Sequence, residues 1–199
     1  MEILDIYDEH MNKIGSEKRD IVHQNGMWHK TIHCWIYDEM GNIYFQIRKD
    51  SGKLYTTASG HILAGESIQD AFKREIHEEI GIDTDVSNAI ALEVIYWRQD
   101  KPQKNWHDRA FAHIYLSKIP FGFTNFKFQP EEVTGIIRIN AKDCMDLLTN
   151  KKTSIPATKI TKDKSIDVEI TNNDLLTASD ETAIIKYGYV VQCVIQQTK

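Results

Sequence analysis

Three glutamates, Glu75, Glu78 and Glu79, stand at i, i+3 and i+4 in the segment GHILAGESIQDAFKREIHEEIGI, residues 60 to 82. On a helix those intervals gather all three carboxylates on one stripe. Left alone they repel one another, and the last two lie where the helix dipole is already negative. A divalent cation would reverse the sign of the arrangement, because hard oxygen ligands suit Mg²⁺ or Mn²⁺ and Mg²⁺ is usually held by few carboxylates together with substrate phosphates. The spacing alone also fits a solvated, merely charged helix face.

The element that must carry these acids has a start, a stop and two faces. Ser67 can cap the first turn, with Asp70 three residues on as a capping-box partner, and Gly81 suits the left-handed residue that ends a helix. Ile68, Phe72, Ile76 and Ile80 recur every four residues and form an apolar stripe committed to a core. The sequence thus predicts a helix over 67–80 with its acids on the adjoining stripe.

The whole string resembles the Nudix box. Gly60, Glu66, Arg74-Glu75, Glu78-Glu79 and Gly81 all stand at the box's spacing, with aliphatic residues where it wants them. The resemblance implies an α/β Nudix fold, a mixed β-sheet sandwiched between helices. Its implied chemistry is metal-dependent cleavage of a diphosphate linked to another moiety. It assigns metal binding to Glu75, Glu78 and Glu79, orientation of those acids to Arg74, and the structural start of the loop to Gly60 and Glu66. Gly60 is also grouped with the metal site.

Length and composition set the frame. A chain of 199 residues with a net charge of −5 can bury one proper core, so a single domain spanning 1–199 is expected. Residues 1–30 would form an N-terminal extension, and about 150–199 a C-terminal extension packed on the domain. With no long basic run, no stable nucleic-acid partner is expected. Cys34, Cys144 and Cys193 lack CxxC spacing and read as free thiols. The acidic N-terminus and the lack of a long apolar run argue against a signal peptide and a membrane span, so a cytoplasmic location is expected.

Along the chain, residues 2–7 suggest a strand and Asp8 to Gly15 a turn. Thr31 to Tyr37 and Ile43 to Arg48 suggest a hairpin. Ile90 to Arg98 and Arg109 to Leu116 read as strands joined by a polar loop, Gln99 to Asp108, near the active site. Val133 to Ile139 suggests a strand and Ala141 to Leu148 a helix. The alternation from Ile166 to Ile170 fits an extra hairpin, and Glu181 to Ile195 has near-helical spacing. Residues 150–176 receive no role.

The stretch from Leu4 to Arg48 resembles the extended N-terminus of type I isopentenyl diphosphate isomerases and their hydrolase relatives, so the likeness covers about residues 3 to 140. His23, His29 and His61 look like matches to the isomerases' histidine-rich metal site. That implies a second metal, while packing of Trp28-His29 and His33 between the N-terminal segment and the sheet is the structural reading. Three features favour a hydrolase. Ser59 stands where the isomerases have cysteine, Trp106-His107-Asp108-Arg109 offers one carboxylate where they have two glutamates, and the box is intact.

Phosphoanhydride cleavage needs cations on the oxygens, an activated water and a stabilised leaving phosphate. Glu78 and Arg74 are the box's catalytic candidates. Glu132 is the candidate outside the box for a further metal or the proton of water, with Glu131 as its neighbour. Arg48 and Lys53 are candidates for substrate phosphates, with Lys49 as competitor. Trp97, Trp106 and Phe128 could wall a flat group or simply fill core. The expected partner is a small-molecule diphosphate, such as a nucleoside diphosphate derivative, and a homodimer is compatible with the resemblance. The alternatives are an isopentenyl diphosphate isomerase and a non-catalytic nucleotide-sensing Nudix module.

Overall fold

The computed structural model describes residues 2–175 and 181–198, with side chains described from 185 onward in the latter stretch. In chain order the elements are β1 (Ile3–Tyr7), β2 (Lys13–Lys18), α1 (Arg19–Gln24), β3 (His29–Asp38), β4 (Asn42–Arg48), β5 (Leu54–Tyr55), β6 (Ala58–His61), α2 (Ile68–Ile80), β7 (Ala89–Lys101), β8 (Trp106–Ile119), β9 (Val133–Asn140), α3 (Ala141–Leu148), β10 (Ser154–Ile160), β11 (Ser165–Thr171) and α4 (Glu181–Gln197). Nine strands form one mixed sheet in the order β11-β10-β9-β4-β3-β8-β7, with β5 on β4 and β6 on β3. The β3–β8 pair is parallel, and the other pairs are antiparallel.

The period of two along a strand decides which helix each residue meets. On β3, Ile32, Cys34 and Ile36 turn to one face, where they pack with Phe72, Ile76 and Ile80 of α2. Trp35 and Tyr37 turn to the other, where Tyr187, Val190, Val191 and Val194 of α4 and Leu147 of α3 close a second core. Because helices cover both faces, the middle of β3 is buried without interruption, as expected of a two-sided sheet. This is the α/β/α sandwich that the resemblance implied.

The helix bearing the acids is bounded as its sequence predicts. Ser67 Oγ accepts from the Asp70 amide at 3.1 Å, and Gly81 closes the helix at φ 68°. Asp70 does not complete a reciprocal box, since its carboxylate takes the Ser67 hydroxyl at 2.7 Å. The contact of the helix end with the loop between β8 and β9 also needs Gly81 to be bare, because a Cβ there would run into Lys127.

Several expectations need correction. The turn ascribed to Asp8–Gly15 is shorter, because β2 begins at Lys13 and pairs with β1. Helix α1 was not foreseen: six residues are too few for periodicity to register. The predicted loop Gln99–Asp108 is mostly strand, with Gln99 opposite Asp108 and Lys101 opposite Trp106, leaving only 102–105 as the turn. Polar residues misled because this hairpin end is only partly buried. The described part of the C-terminal extension is built into the domain. β10 and β11 continue the central sheet, and α4 supplies much of one of its two helical layers.

The N-terminal hairpin braces the loop before α2. Ala64 donates to the Ile3 carbonyl at 2.8 Å, Gly65 donates to Asp5 at 3.2 Å, and Leu4 bridges to Leu63. Lys13 and Ser16 hold that same Asp5 carboxylate at 2.8 and 2.6 Å. Cys34 and Cys144 are buried free thiols, and Cys193 is a partly buried one.

Candidate active site

Strand β6 delivers Ser59, Gly60 and His61 to the foot of α2, and the loop 62–67 returns the chain into the helix. Arg74 organises this turn. Its guanidinium takes both oxygens of Glu66 at 2.8 and 2.9 Å, the His61 carbonyl at 3.0 Å, Glu75 at 2.6 Å and Glu78 at 3.3 Å. The paired bonds to Glu66 match the planar fork of arginine. Glu66 is itself fixed by the Leu63 amide at 2.9 Å.

The three box glutamates have different surroundings. Glu79 is buried, and its Oε2 accepts from the Ser59 amide at 2.8 Å and from Gln46 Nε2 at 3.2 Å. Burial pushes its carboxyl well above the usual range. Glu75 is buried against Gly60, where any Cβ would occupy the space of its carboxyl group. Burial raises Glu75 to about 7, against the opposing pull of Arg74. Glu78, on the outer edge of the stripe, is half exposed. Two carboxylates forced out of water beside each other are under-neutralised, and a hard divalent cation fits that donor set.

Glu75 and Glu79 border a cleft of about 500 Å³ that also includes Arg48, Glu132, Trp97 and Trp106. Of the candidates outside the box, Arg48 and Glu132 thus reach the cleft. Lys53 and Glu131 are not on its lining, and Lys53 Nζ is bonded to the Asn173 carbonyl. Lys49 is likewise turned away, to the Pro130 carbonyl at 2.7 Å. Glu78 is also absent from this lining and faces the outer surface of α2 with His77 and Lys73. Phe128 is not part of the aromatic wall, because it stacks on Phe126 on the α2 side of the sheet. Arg48 is engaged by Asp50 through two bonds of 3.0 Å.

The same cleft is lined by His23 and His61, which with the buried His29 each bring a ligand atom within 4.8 Å of the others. His23 Nδ1 lies 2.8 Å from the Arg19 carbonyl, and His29 Nδ1 lies 3.1 Å from that of Met27. A carbonyl only accepts, so both rings carry their proton on Nδ1 and keep Nε2 as a lone pair. The Nε2 atoms of His23 and His61 are 3.3 Å apart. His29 Nε2 and Asp108 Oδ1, at 3.6 Å, are both buried without a hydrogen-bond partner. Burial holds all three histidines below their usual range, His29 at about 4, and raises Asp108. Trp106 stacks on His23 with centroids 3.7 Å apart.

Sequence reading missed Gln46, whose signal is an amide inside the apolar run IYFQI of β4. It also missed the part that the C-terminal helix takes: Tyr187 lines the cleft, and Lys186 sits 2.9 Å from His33. No local pattern links those residues, which are 153 positions apart.

The fold and the acid-lined cleft define the class, an α/β/α domain built around a carboxylate-bearing loop and helix. The family model for the NUDIX domain matches residues 27–158. The chain belongs to the Nudix hydrolase family, enzymes that act on pyrophosphate bonds and in general use divalent cations. It is 34% identical over 163 residues to an uncharacterized Nudix hydrolase of Clostridium acetobutylicum, covering 75% of each chain. Over 87 residues it is 37% identical to an isopentenyl-diphosphate Delta-isomerase of Photorhabdus laumondii, covering 41% of this chain and 49% of that one. Among solved structures, a Deinococcus radiodurans protein superposes with a TM-score of 0.55 at 15% identity, over 81% of this chain and 94% of that one. A MutT/nudix family protein of Enterococcus faecalis gives 0.51 at 14% identity, over 94% and 66%. These two likenesses concern the fold. Among the described residues, no helix is long and apolar enough to cross a membrane.

Proposed function

We propose that this protein hydrolyses the phosphoanhydride of a small-molecule diphosphate, a nucleoside diphosphate derivative or a related compound, with Mg²⁺ or Mn²⁺ held by Glu75, Glu79 and Glu78. One observation carries the reading: two buried, under-neutralised carboxylates share a cleft with a cation, Arg48, and a further acid, Glu132. A divalent cation held there would supply charge neutralisation and help activate the attacking water.

The chain's own groups do the rest. Arg74, clamped by Glu66, fixes the approach of Glu75 and Glu78. The Ser59 amide fixes Glu79. Glu132 takes the proton of the attacking water. Arg48 exchanges Asp50 for a substrate phosphate, and Trp97 and Trp106 flank the moiety beyond it. Glu78, held by Arg74 outside the cleft lining, would turn inward to complete the ligand set, and Lys53, bonded to the Asn173 carbonyl, stands outside the cleft. The wider reading is a cytoplasmic enzyme whose partner is this small molecule.

The histidine cluster adds a second cation site in this reading. A lone pair on His29 facing an unpartnered oxygen of Asp108 is repulsive unless a proton or a cation lies between them, and a cation site is the reading that uses all three histidines. Three imidazoles and a carboxylate suit a first-row transition ion.

The test is product formation with Mg²⁺ or Mn²⁺ on nucleoside di- and triphosphates, sugar nucleotides, dinucleotides, coenzyme A and isopentenyl diphosphate. Hydrolysis that disappears in Glu79→Gln and Glu78→Gln is expected. Wild-type turnover by Glu79→Gln overturns the metal assignment. Isomerised isopentenyl diphosphate, or binding without turnover, overturns the hydrolase reading in favour of an isomerase or a sensor.

A further inference from the structure

We propose that Lys186 locks His33 in one tautomer, so that His33 Nε2–H serves as a fixed hydrogen-bond donor to the substrate's phosphoryl oxygens. The donor role rests on the diphosphohydrolase reading above; the lock does not.

Strand β3 places His29, Thr31, His33 and Trp35 on one face at intervals of two. Thr31 and His33 line the cleft, whereas Trp35 is sealed under Tyr187 of α4. His33 therefore stands where the open cleft passes into closed core. From below, Lys186 brings its ammonium to 2.9 Å from His33 Nδ1. The same ammonium lies 4.7 Å from the ring centroid of Trp97 and 5.6 Å from that of Tyr55, both cleft-lining residues. Such aromatic faces stabilise a buried cation.

The tautomer follows from donor chemistry. With Lys186 as an ammonium, which has three N–H donors and no acceptor, Nδ1 accepts and the ring proton resides on Nε2. Burial and the neighbouring Lys186 charge both hold His33 well below the usual histidine range, so the ring stays neutral. A neutral imidazole with a single N–H donates without taking up a proton across the working pH range. A fixed donor aimed at developing oxyanion charge costs no reorganisation as the reaction proceeds. Lys186 is the positioning residue, and α4 thereby becomes part of the site.

The lock is tested on the full chain by ¹⁵N NMR of the histidine rings. His33 is expected as the Nε2–H tautomer in the wild type and as a mixture in Lys186→Met. A wild-type His33 protonated on Nδ1 overturns the lock. The donor role is tested with a substrate found in the panel above. His33→Leu should lose about 100-fold in kcat, the usual cost of removing one oxyanion donor. His33→Gln, whose amide nitrogen stands near the Nε2 position, should restore most of that rate, and Lys186→Met should lower kcat more than it raises KM. Wild-type turnover by His33→Leu, or no rescue by His33→Gln, overturns the donor role. If Lys186→Met does not fold, the comparison of His33→Leu with His33→Gln still decides. If the wild type hydrolyses nothing in the panel, the parent reading and the donor role fall together, while the NMR experiment still judges the lock.

Discussion

At the scale of single residues, Gly60 and Gly81 show how a sequence motif encodes close approach more than flexibility. Gly60 leaves room for the Glu75 carboxyl group, so Gly60→Ala must push that carboxylate aside. Displacements of about 1 Å can cost roughly 100-fold in rate. A fall of that size in kcat/KM, with thermal stability changed little, is the expected outcome. At Gly81 the penalty is on stability. Both the positive φ and the Lys127 side chain oppose a Cβ, and Gly81→Ala should cost about 1–3 kcal/mol, read as a lower denaturant midpoint. These roles were legible as motif positions. Why Gly60 is required became visible only with Glu75 folded over it.

At the scale of elements, α2 was legible from its own residues, because cap, apolar stripe and terminal glycine all lie within fifteen positions. Removing the cap with Ser67→Ala should cost about 1 kcal/mol, measurable by urea unfolding with an unchanged m-value. Helix α4 shows the contrary case. Its sequence suggested a helix, but what it covers depends on strands more than a hundred residues earlier. Tyr187 stacks on Phe45, with centroids 5.9 Å apart, and meets Trp35 edge-on at 4.9 Å. Tyr187→Ala should therefore cost about 3–5 kcal/mol, as aromatic truncations in cores do. A loss below 1 kcal/mol would mean that α4 contributes little to the core. The hairpin β10–β11 obeys the same logic. Pro156 lies where β10 is paired with β11 alone, since β9 joins it only from Thr158 to Ile160, so the missing N–H need not disturb the sheet.

For the molecule as a whole, the buried acids and histidines set opposite pH slopes. Glu75, at about 7, and Glu79, raised by burial, have folded pKa values above the ordinary 4.5. The folded state then binds more protons than the unfolded one, and stability falls as pH rises through that window. His23, His29, His33, His61 and His113 are all depressed by burial from 6.5. Below that value the unfolded state binds the extra protons, and stability falls as pH drops. The metal-free protein should thus be most stable near the ordinary histidine pKa. Saturating Mg²⁺ or Mn²⁺ should abolish the loss on the alkaline side, because a bound cation keeps both carboxylates ionised in the folded state. Urea melts between pH 5 and 9, with and without the cation, read this directly; identical alkaline slopes would sink the metal assignment.

The sequence by itself determined the box helix, the family resemblance, the central hairpin and most strand positions. Each of these depends on contacts or periodicities within a few residues. Tertiary structure decided which candidates share the cleft. Arg48 and Glu132 enter it while Lys53 and Phe128 do not, and His23, His29 and His61 converge with Asp108. It also decided that Lys186 meets His33. The physical reason is register. A side chain's face is fixed by the period of its strand or helix, but which partner lies opposite is fixed by how distant segments pair, and no local pattern records that.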